Sequence, residues 1–99
     1  MAARPTRRNL IAFNPGDFVF RQGDPGESMF LIVSGNVQIL KTFAGKEQEI
    51  NLLENGDFFG QISLLQGEPR SASAKAVTET KLLSIDKLNF EELLEMDVE

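Results

Sequence analysis

Cysteine and histidine are both absent from this chain of 99 residues, and each absence excludes a class of chemistry. Without cysteine there are no disulfides and no thiol nucleophiles. Without histidine there is no imidazole base, no Ser-His or Cys-His nucleophile pair and no His-based metal site. Most hydrolase designs are therefore unavailable. The paired carboxylates show no catalytic spacing either, and we expect no enzymatic activity, no catalytic residues, no metal site and no cofactor.

Long apolar runs are absent as well. No stretch approaches the roughly 20 residues that a membrane-spanning helix requires. The basic first ten residues do not lead into an apolar segment with a small-residue cleavage site, so they do not resemble a secretory signal. We expect a soluble, cytoplasmic protein without membrane insertion. With 41% hydrophobic and 25% charged residues, the chain has the composition of one small globular domain.

Acidic residues outnumber basic ones, and the net charge is −5. Of the ten Lys and Arg residues, Arg4, Arg7 and Arg8 lie near the N-terminus, which leaves seven basic residues against fifteen acidic ones in the remainder. We interpret residues 1–10 as a basic, solvated arm and residues 11–99 as the folded domain. Because an acidic body repels a phosphate backbone, we expect no nucleic-acid binding by this chain alone.

Turn-forming residues recur at close intervals and separate short segments rich in Phe, Val and Ile. Such segments have the length and composition of antiparallel β-strands. The predicted strands cover residues 18–22, 28–33, 37–43, 47–53, 72–77 and 80–85. The stretch from Met29 to Val33 is continuously apolar, which predicts a central strand that is covered on both faces.

The hydrophobic pattern changes after residue 85. Asp86 can cap a helix in which Phe90, Leu93 and Leu94 share one face. Short strands joined by turns and followed by a helix are typical of a jelly roll, which protects its strand edges. The predicted fold is therefore mainly β, a double-stranded β-helix jelly roll with a short helix near residue 60 and a C-terminal helix.

Residues 59–74 carry the strongest chemical signal. Gly60 can open a short helical turn, and Arg70 follows one short loop later. A guanidinium can bond two anionic oxygens at once, and free backbone N–H groups at the start of a helix supply further donors. Small residues let an anion come close: Ser63, Ser71 and Ala72. The pattern predicts a binding site for one phosphate group. The alternative is that Arg70, after Pro69, is an exposed arginine that stabilises a turn.

Two motifs resemble those of cyclic nucleotide-binding domains, the β-roll modules of cAMP-regulated kinases, catabolite-activator-type transcription factors and nucleotide-gated channels. Residues 23–35, GDPGESMFLIVSG, are similar to the glycine-bracketed hairpin of this family. Residues 59–76 resemble its phosphate-binding cassette, including the five residues between Leu64 and Arg70. The resemblance covers most of residues 14–96 and implies a cyclic nucleotide-binding β-roll whose ligand is cAMP or cGMP.

The resemblance also implies roles for individual positions. Arg70 matches the arginine that pairs with the cyclic phosphate, and backbone amides near Ser63 and Ser71 match further phosphate donors. Strand phase makes Ile39 and Ile50 candidates for the wall of the base pocket. The expected ligand-binding residues are Gly60, Gln61, Ile62, Ser63, Arg70, Ser71 and Ala72.

Gln61 departs from the family pattern, which usually has Glu after this glycine to accept a hydrogen bond from the ribose 2′-hydroxyl. The amide oxygen of Gln61 can still accept. A neutral hydrogen bond contributes about 0.5–1.5 kcal/mol, however, against about 1.5–3 kcal/mol for one to a charged group. We therefore expect weaker binding that is not abolished. We interpret the neighbouring Phe58 and Phe59 as core residues and not as platforms for base stacking.

The leading hypothesis is a regulatory domain of signal transduction that senses cAMP or cGMP and relays its binding to an effector absent from this chain. The alternative is a β-roll that binds no nucleotide and acts as a protein interaction or dimerisation module. Gln61 and the lack of a lid helix before Glu99 favour this alternative, and Arg70 opposes it. A metal-dependent jelly-roll enzyme is least favoured because the chain has no histidine.

The step from binding to signal is expected to involve the C-terminal helix. In the family, ligand in the cassette repositions the helices that follow the roll. We expect the face formed by Phe90, Leu93 and Leu94 to dock against Leu64 and Leu65 of the cassette. A monomer and a dimer are both compatible with the sequence.

Overall fold

A computed structural model describes residues 10–96 of the chain, and the side chains of residues 10–92. Within that range the chain forms eight strands and two helices. The strands are β1 (Leu10–Phe13), β2 (Phe18–Phe20), β3 (Ser28–Ser34), β4 (Val37–Phe43), β5 (Lys46–Leu53), β6 (Phe58–Phe59), β7 (Ser73–Ala76) and β8 (Thr80–Asp86). The helices are α1 (Gln61–Gln66) and α2 (Lys87–Met96), and neither is long and apolar enough to cross a membrane.

The strands form two four-stranded antiparallel sheets, one in the order β1-β8-β3-β6 and the other in the order β2-β7-β4-β5. Most neighbours in space are distant in sequence, such as β3 with β8 and β2 with β7. Strands that cross repeatedly between two facing sheets define a jelly roll. The predicted fold is confirmed: a mainly β double-stranded β-helix with a short helix near residue 60 and a C-terminal helix.

Most predicted strands lie where the pattern indicates. The segment at 18–22 is shorter than predicted, because Asp24 donates its backbone N–H to the carbonyl of Arg21 and closes a turn there. Strand β3 lies between β8 and β6, which confirms its central position. Met29 and Phe30 are buried on its two faces, whereas Val33, near its end, is 48% exposed.

Two strands, β1 and β6, have no counterpart in the prediction. Strand β1 begins at Leu10, the last residue of the predicted arm, and pairs with β8. Strand β6 contains two residues and pairs with Phe30 and Leu31 of β3. Successive side chains of a strand point to opposite faces, so Phe59 is 5% exposed and Phe58 is 48% exposed. Core placement is therefore correct for Phe59 and wrong for Phe58.

Three phenylalanine rings fill the space between the two sheets at the end of the sandwich where α1 begins. Phe30 and Phe59 are stacked with their ring centroids 5.3 Å apart. Phe20 lies 6.0 Å from Phe30 and 5.9 Å from Phe59. Ala74, the partner of Phe20 in the β2-β7 ladder, is completely buried. This aromatic cluster forms the floor on which the candidate site is built.

Both helices are attached to the opposite face of β3. Met29 packs with Leu64 of α1 and Ile85 of β8, and Phe90 of α2 packs against this group. Phe90 of the C-terminal helix and Leu64 of the cassette thus belong to one hydrophobic group. Leu65 is instead 52% exposed, and the side chains at positions 93 and 94 lie outside the described residues. Helix α2 begins as predicted, because the carboxylate of Asp86 accepts the backbone N–H of Asn89 at 2.8 Å.

Candidate ligand-binding site

A cleft of about 280 Å³ opens between β4 and β5 on one side and the β6-α1 segment with residues 70–72 on the other. All nine residues proposed from the sequence line it: Ile39, Ile50, Gly60, Gln61, Ile62, Ser63, Arg70, Ser71 and Ala72. The fold therefore brings the cassette and the two strand residues together, and contact of these residues with a ligand stays a prediction. Five further lining residues were not proposed as site residues: Phe20, Asn51, Leu53, Phe58 and Phe59.

Gly60 turns the chain from β6 into α1. Its φ of 85° lies in the left-handed region, where glycine alone has no steric penalty. A Cβ at this position would lie 2.8 Å from Nη1 of Arg70. Gly60 therefore serves two purposes, since it permits the turn and leaves space for the guanidinium.

Arg70 is the only charged residue among those that line the described cleft. Its side chain is buried, with 5% of the residue exposed, so the alternative of an exposed turn arginine is wrong. Nη1 donates to the carbonyl of Gly60 at 3.0 Å, and Nη2 donates to the carbonyl of Ser28 at 2.7 Å. Nε is buried and has no hydrogen-bond partner. The guanidinium is thus held in place by neutral acceptors and keeps unused N–H groups.

The guanidinium of Arg70 lies over the faces of aromatic rings. The Arg70 Cζ atom lies 4.1 Å from the ring centroid of Phe20 and 5.8 Å from that of Phe30. A cation over an aromatic face is attracted by the negative face of the ring. Burial lowers the pKa of Arg70 below its ordinary value, and the negative charge of Asp24 opposes this shift. An arginine nevertheless stays protonated, so the site contains a desolvated positive charge that an anion can neutralise.

The cassette around Arg70 differs in exposure along its length. Ser63 is buried, with 3% of the residue exposed, whereas Ile62 beside it is 56% exposed. Gln61 and Ser71 are exposed, and Ala72 is half-buried. The polar side chains of Gln61 and Ser71 are therefore accessible at the mouth of the cleft, while Ser63 forms part of its packed base.

The other end of the cleft is apolar and open. Ile39 of β4 pairs with Asn51, but the next residue, Leu40, pairs with Glu49, so Ile50 is the extra residue of a β-bulge. Bulges re-aim side chains beside functional sites. Ile50 is 53% exposed, and Phe58 across the cleft is 48% exposed. The pair offers two apolar walls to a planar group, a role that the sequence analysis assigned to Ile50 and not to Phe58.

Groups that could hold a metal ion are missing from the described part of the chain. No three or more Asp or Glu side chains cluster there in a suitable arrangement. A buried cation at one end and exposed apolar walls at the other are complementary to a small organic anion that has a compact anionic group and an apolar portion.

Comparison with known proteins places this chain in a family. Residues 10–97 match the cyclic nucleotide-binding domain family. The chain is 40% identical over 82 residues to a cAMP-dependent protein kinase regulatory subunit of Pyricularia oryzae, which covers 83% of the chain and 20% of the relative. The chain belongs to the cyclic nucleotide-binding domain family.

Solved structures agree with this assignment. The crystal structure of the Thermus thermophilus catabolite activator protein superposes with a TM-score of 0.84 at 36% identity, over 88% of the chain and 41% of that protein. The regulatory domain of Toxoplasma gondii PKA, crystallised with cAMP, superposes with a TM-score of 0.80 at 26% identity, over 86% of the chain and 33% of that protein. The chain spans about a fifth of the length of the fungal kinase regulatory subunit it matches.

Proposed function

We propose that this chain is a regulatory ligand-sensing domain that binds cAMP or cGMP in the cleft, with the cyclic phosphate on Arg70. The observation that carries the proposal is the state of this one side chain. Its guanidinium is buried and positioned by two carbonyls, yet none of the described residues that line the cleft beside it is acidic. A phosphate monoanion would supply the missing charge and would accept charge-assisted hydrogen bonds.

The remaining parts of a cyclic nucleotide find complementary groups along the cleft. Backbone amides near Ser63 and Ser71 are the further donors that the family resemblance implies. The ribose would lie beside Gly60 and Gln61, where the Gln61 side chain can accept from a hydroxyl. The apolar walls at Ile39, Ile50 and Phe58 would cover the base. The relatives support cAMP as one ligand, since the T. gondii domain was crystallised with it.

We propose that the domain binds its ligand without catalysing a reaction, so that no bond of the ligand is broken. None of the described residues that line the cleft is acidic, and the chain has no histidine, so no such group is at hand to move a proton. The relatives are a kinase regulatory subunit and a catabolite activator protein, which supports a role in signal transduction. We propose that the domain acts in the cytoplasm and transmits ligand binding to an effector outside the residues described. Helix α2 is the first element on that route, because Phe90 packs against the cluster that contains Leu64 of the cassette.

Calorimetric titration of the chain with cAMP and with cGMP tests this function. We expect saturable binding of at least one of them, which an Arg70→Ala variant loses and an Arg21→Ala variant keeps. Arg21 is a matched control because its guanidinium also lies over a phenylalanine, 3.7 Å from the ring centroid of Phe18, but does not line the cleft. No heat and no thermal stabilisation with either nucleotide would contradict the proposal and favour the protein interaction module.

A further inference from the structure

The turn between β2 and β3 is attached to Arg70 rather than to its own hairpin alone. Gly23 donates its backbone N–H to the carbonyl of Arg70, and Arg70 donates its own to the carbonyl of Asp24, both at 2.8 Å. Gln22 donates to the hydroxyl of Ser73 at 2.8 Å, three residues further along the cassette. The glycine-bracketed motif at residues 23–35 therefore begins with a turn that is hydrogen-bonded to the phosphate-binding segment.

The two glycines of this turn meet different requirements. Gly23 has a φ of 93° and open space around it, so its backbone conformation requires glycine. Gly26 does not have a positive φ, but a Cβ there would lie 2.3 Å from Cβ of Ser63 and 2.7 Å from Nε of Arg70. Real Cβ atoms essentially never approach other heavy atoms this closely. Glycine is required at position 26 because of the space that Ser63 and Arg70 occupy.

Neither neighbour can move without disturbing its other contacts. Ser63 is 3% exposed and Arg70 is 5% exposed. On its other side Arg70 contacts the ring of Phe20, and its two Nη atoms are fixed by carbonyl acceptors. Because a close-packed interior has few voids, an inserted group displaces the atoms that it overlaps. A side chain at position 26 must therefore shift the guanidinium, the start of α1, or both.

We propose that Gly26 is a positioning residue for Arg70, and that the combined size of the side chains at positions 26 and 63 determines where the guanidinium lies in the cleft. The contact arises between a turn and a helix that are far apart in sequence. Its effect on ligand affinity rests on the proposed function, whereas its effect on the position of Arg70 does not.

The test begins with Gly26→Ala. We expect the affinity for cAMP to fall by about tenfold or more, the effect of weakening one hydrogen bond to a charged group. The double variant Gly26→Ala/Ser63→Gly removes both Ser63 atoms that meet the new Cβ and keeps the backbone amide at position 63. The new methyl group can then shift into the vacated space and relieve its contact with Nε of Arg70. It should recover most of the lost affinity. Gly16→Ala is the control: it strains a glycine with a φ of 93° in open space and should lower stability without lowering affinity.

A second readout needs no ligand. The side-chain Nε–Hε resonance of Arg70 in a ¹H–¹⁵N spectrum reports the surroundings of the atom nearest the new methyl group. It should shift in Gly26→Ala, return towards its original position in the double variant and stay unchanged in Gly16→Ala. If the unmodified chain bound neither cAMP nor cGMP, the proposed function would fail, and this resonance would still decide whether Gly26 positions Arg70.

The proposal is overturned if Gly26→Ala leaves both the Arg70 resonance and cAMP affinity unchanged. It is also overturned if the double variant recovers neither quantity, or if Gly16→Ala lowers affinity as much as Gly26→Ala does. Should Gly26→Ala fail to fold, Ser63→Thr crowds the same contact more mildly from the other side. That variant should then shift the resonance and weaken binding, and the absence of both effects would overturn the proposal.

Discussion

The two ends of the cleft are built in opposite ways. At the Arg70 end the charged group is buried, stacked on Phe20 and fixed by the carbonyls of Gly60 and Ser28. At the other end Ile50 and Phe58 are each about half exposed. The first end is organised before any ligand arrives, and the second gains its contacts only when a ligand covers it.

This difference assigns different energetic roles to the two ends. A group already held in its binding geometry loses little conformational freedom on association, so its interactions contribute almost fully to affinity. Exposed apolar side chains contribute in proportion to the area that the ligand removes from water. We therefore expect affinity to depend mainly on the phosphate end. We expect discrimination between bases to depend on the open end and on whatever else covers it.

The largest loss of affinity among the following predictions is expected for Arg70→Lys. Lysine keeps the charge but lacks the planar fork, so at least one charged hydrogen bond is lost, which corresponds to about ten- to hundredfold weaker binding. Titration calorimetry with cAMP measures the change, and thermal denaturation checks the fold. The matched Arg21→Lys variant should bind as the unmodified chain does. Equal affinity for the two variants would show that the charge alone, and not its geometry, matters at the phosphate end.

A smaller effect, in the opposite direction, is expected for Gln61→Glu. A carboxylate accepts a stronger hydrogen bond from the ribose 2′-hydroxyl than an amide does, so affinity for cAMP should rise by up to about tenfold. The control is a second ligand, 2′-deoxy-cAMP, which has no 2′-hydroxyl to donate. Its affinity should not rise in the Gln61→Glu variant. A gain of the same size with both ligands would place Gln61 away from the ribose.

The open end is tested by Ile50→Ala. Losing the apolar area that a bound base would cover costs about 1 kcal/mol, or about fivefold in affinity. Leu52→Ala is a close control, since Leu52 lies on the same strand and is 51% exposed against 53% for Ile50, but does not line the cleft. Binding isotherms for cAMP should separate the two variants. If both lost the same affinity, the base would not lie against the bulge.

The smallest change in ligand affinity is expected for Leu64→Ala, because Leu64 does not line the cleft. Its buried side chain instead belongs to the cluster with Met29 and Ile85 against which Phe90 of α2 packs, so its removal should accelerate amide hydrogen exchange in α2. Leu65→Ala, at an exposed position on the same helix, should leave exchange in α2 unchanged. Unaltered exchange in the Leu64 variant would disprove a link from the cassette to α2 through this contact.

Much of the fold follows from local patterns in the sequence. Turn residues delimit the strands, and the change of period after residue 85 marks α2. The strands without a clear pattern are the ones the analysis misses: β6 has two residues, and β1 is a four-residue strand beside a charged segment. Such short strands are stabilised by their partners in the sheet and not by their own composition.

The candidate site likewise has residues that a local sequence pattern identifies and residues that it does not. Gly60 and Arg70 are identifiable because they lie in one motif with a defined spacing. The partners of Arg70 are not, since Ser28 and Phe20 lie 42 and 50 positions earlier in the chain. The steric demand on Gly26 likewise arises only when the turn packs against α1. Contacts of this kind depend on the register of the two sheets, which no local motif specifies.

The central claim is that Arg70 holds the phosphate of a cyclic nucleotide, and a crystal structure of the chain grown with cAMP tests it most directly. We expect a phosphate oxygen within hydrogen-bond distance of the Arg70 guanidinium, the ribose beside Gln61 and the base between Ile50 and Phe58. A nucleotide bound with its phosphate away from Arg70, or bound outside this cleft, would contradict the account.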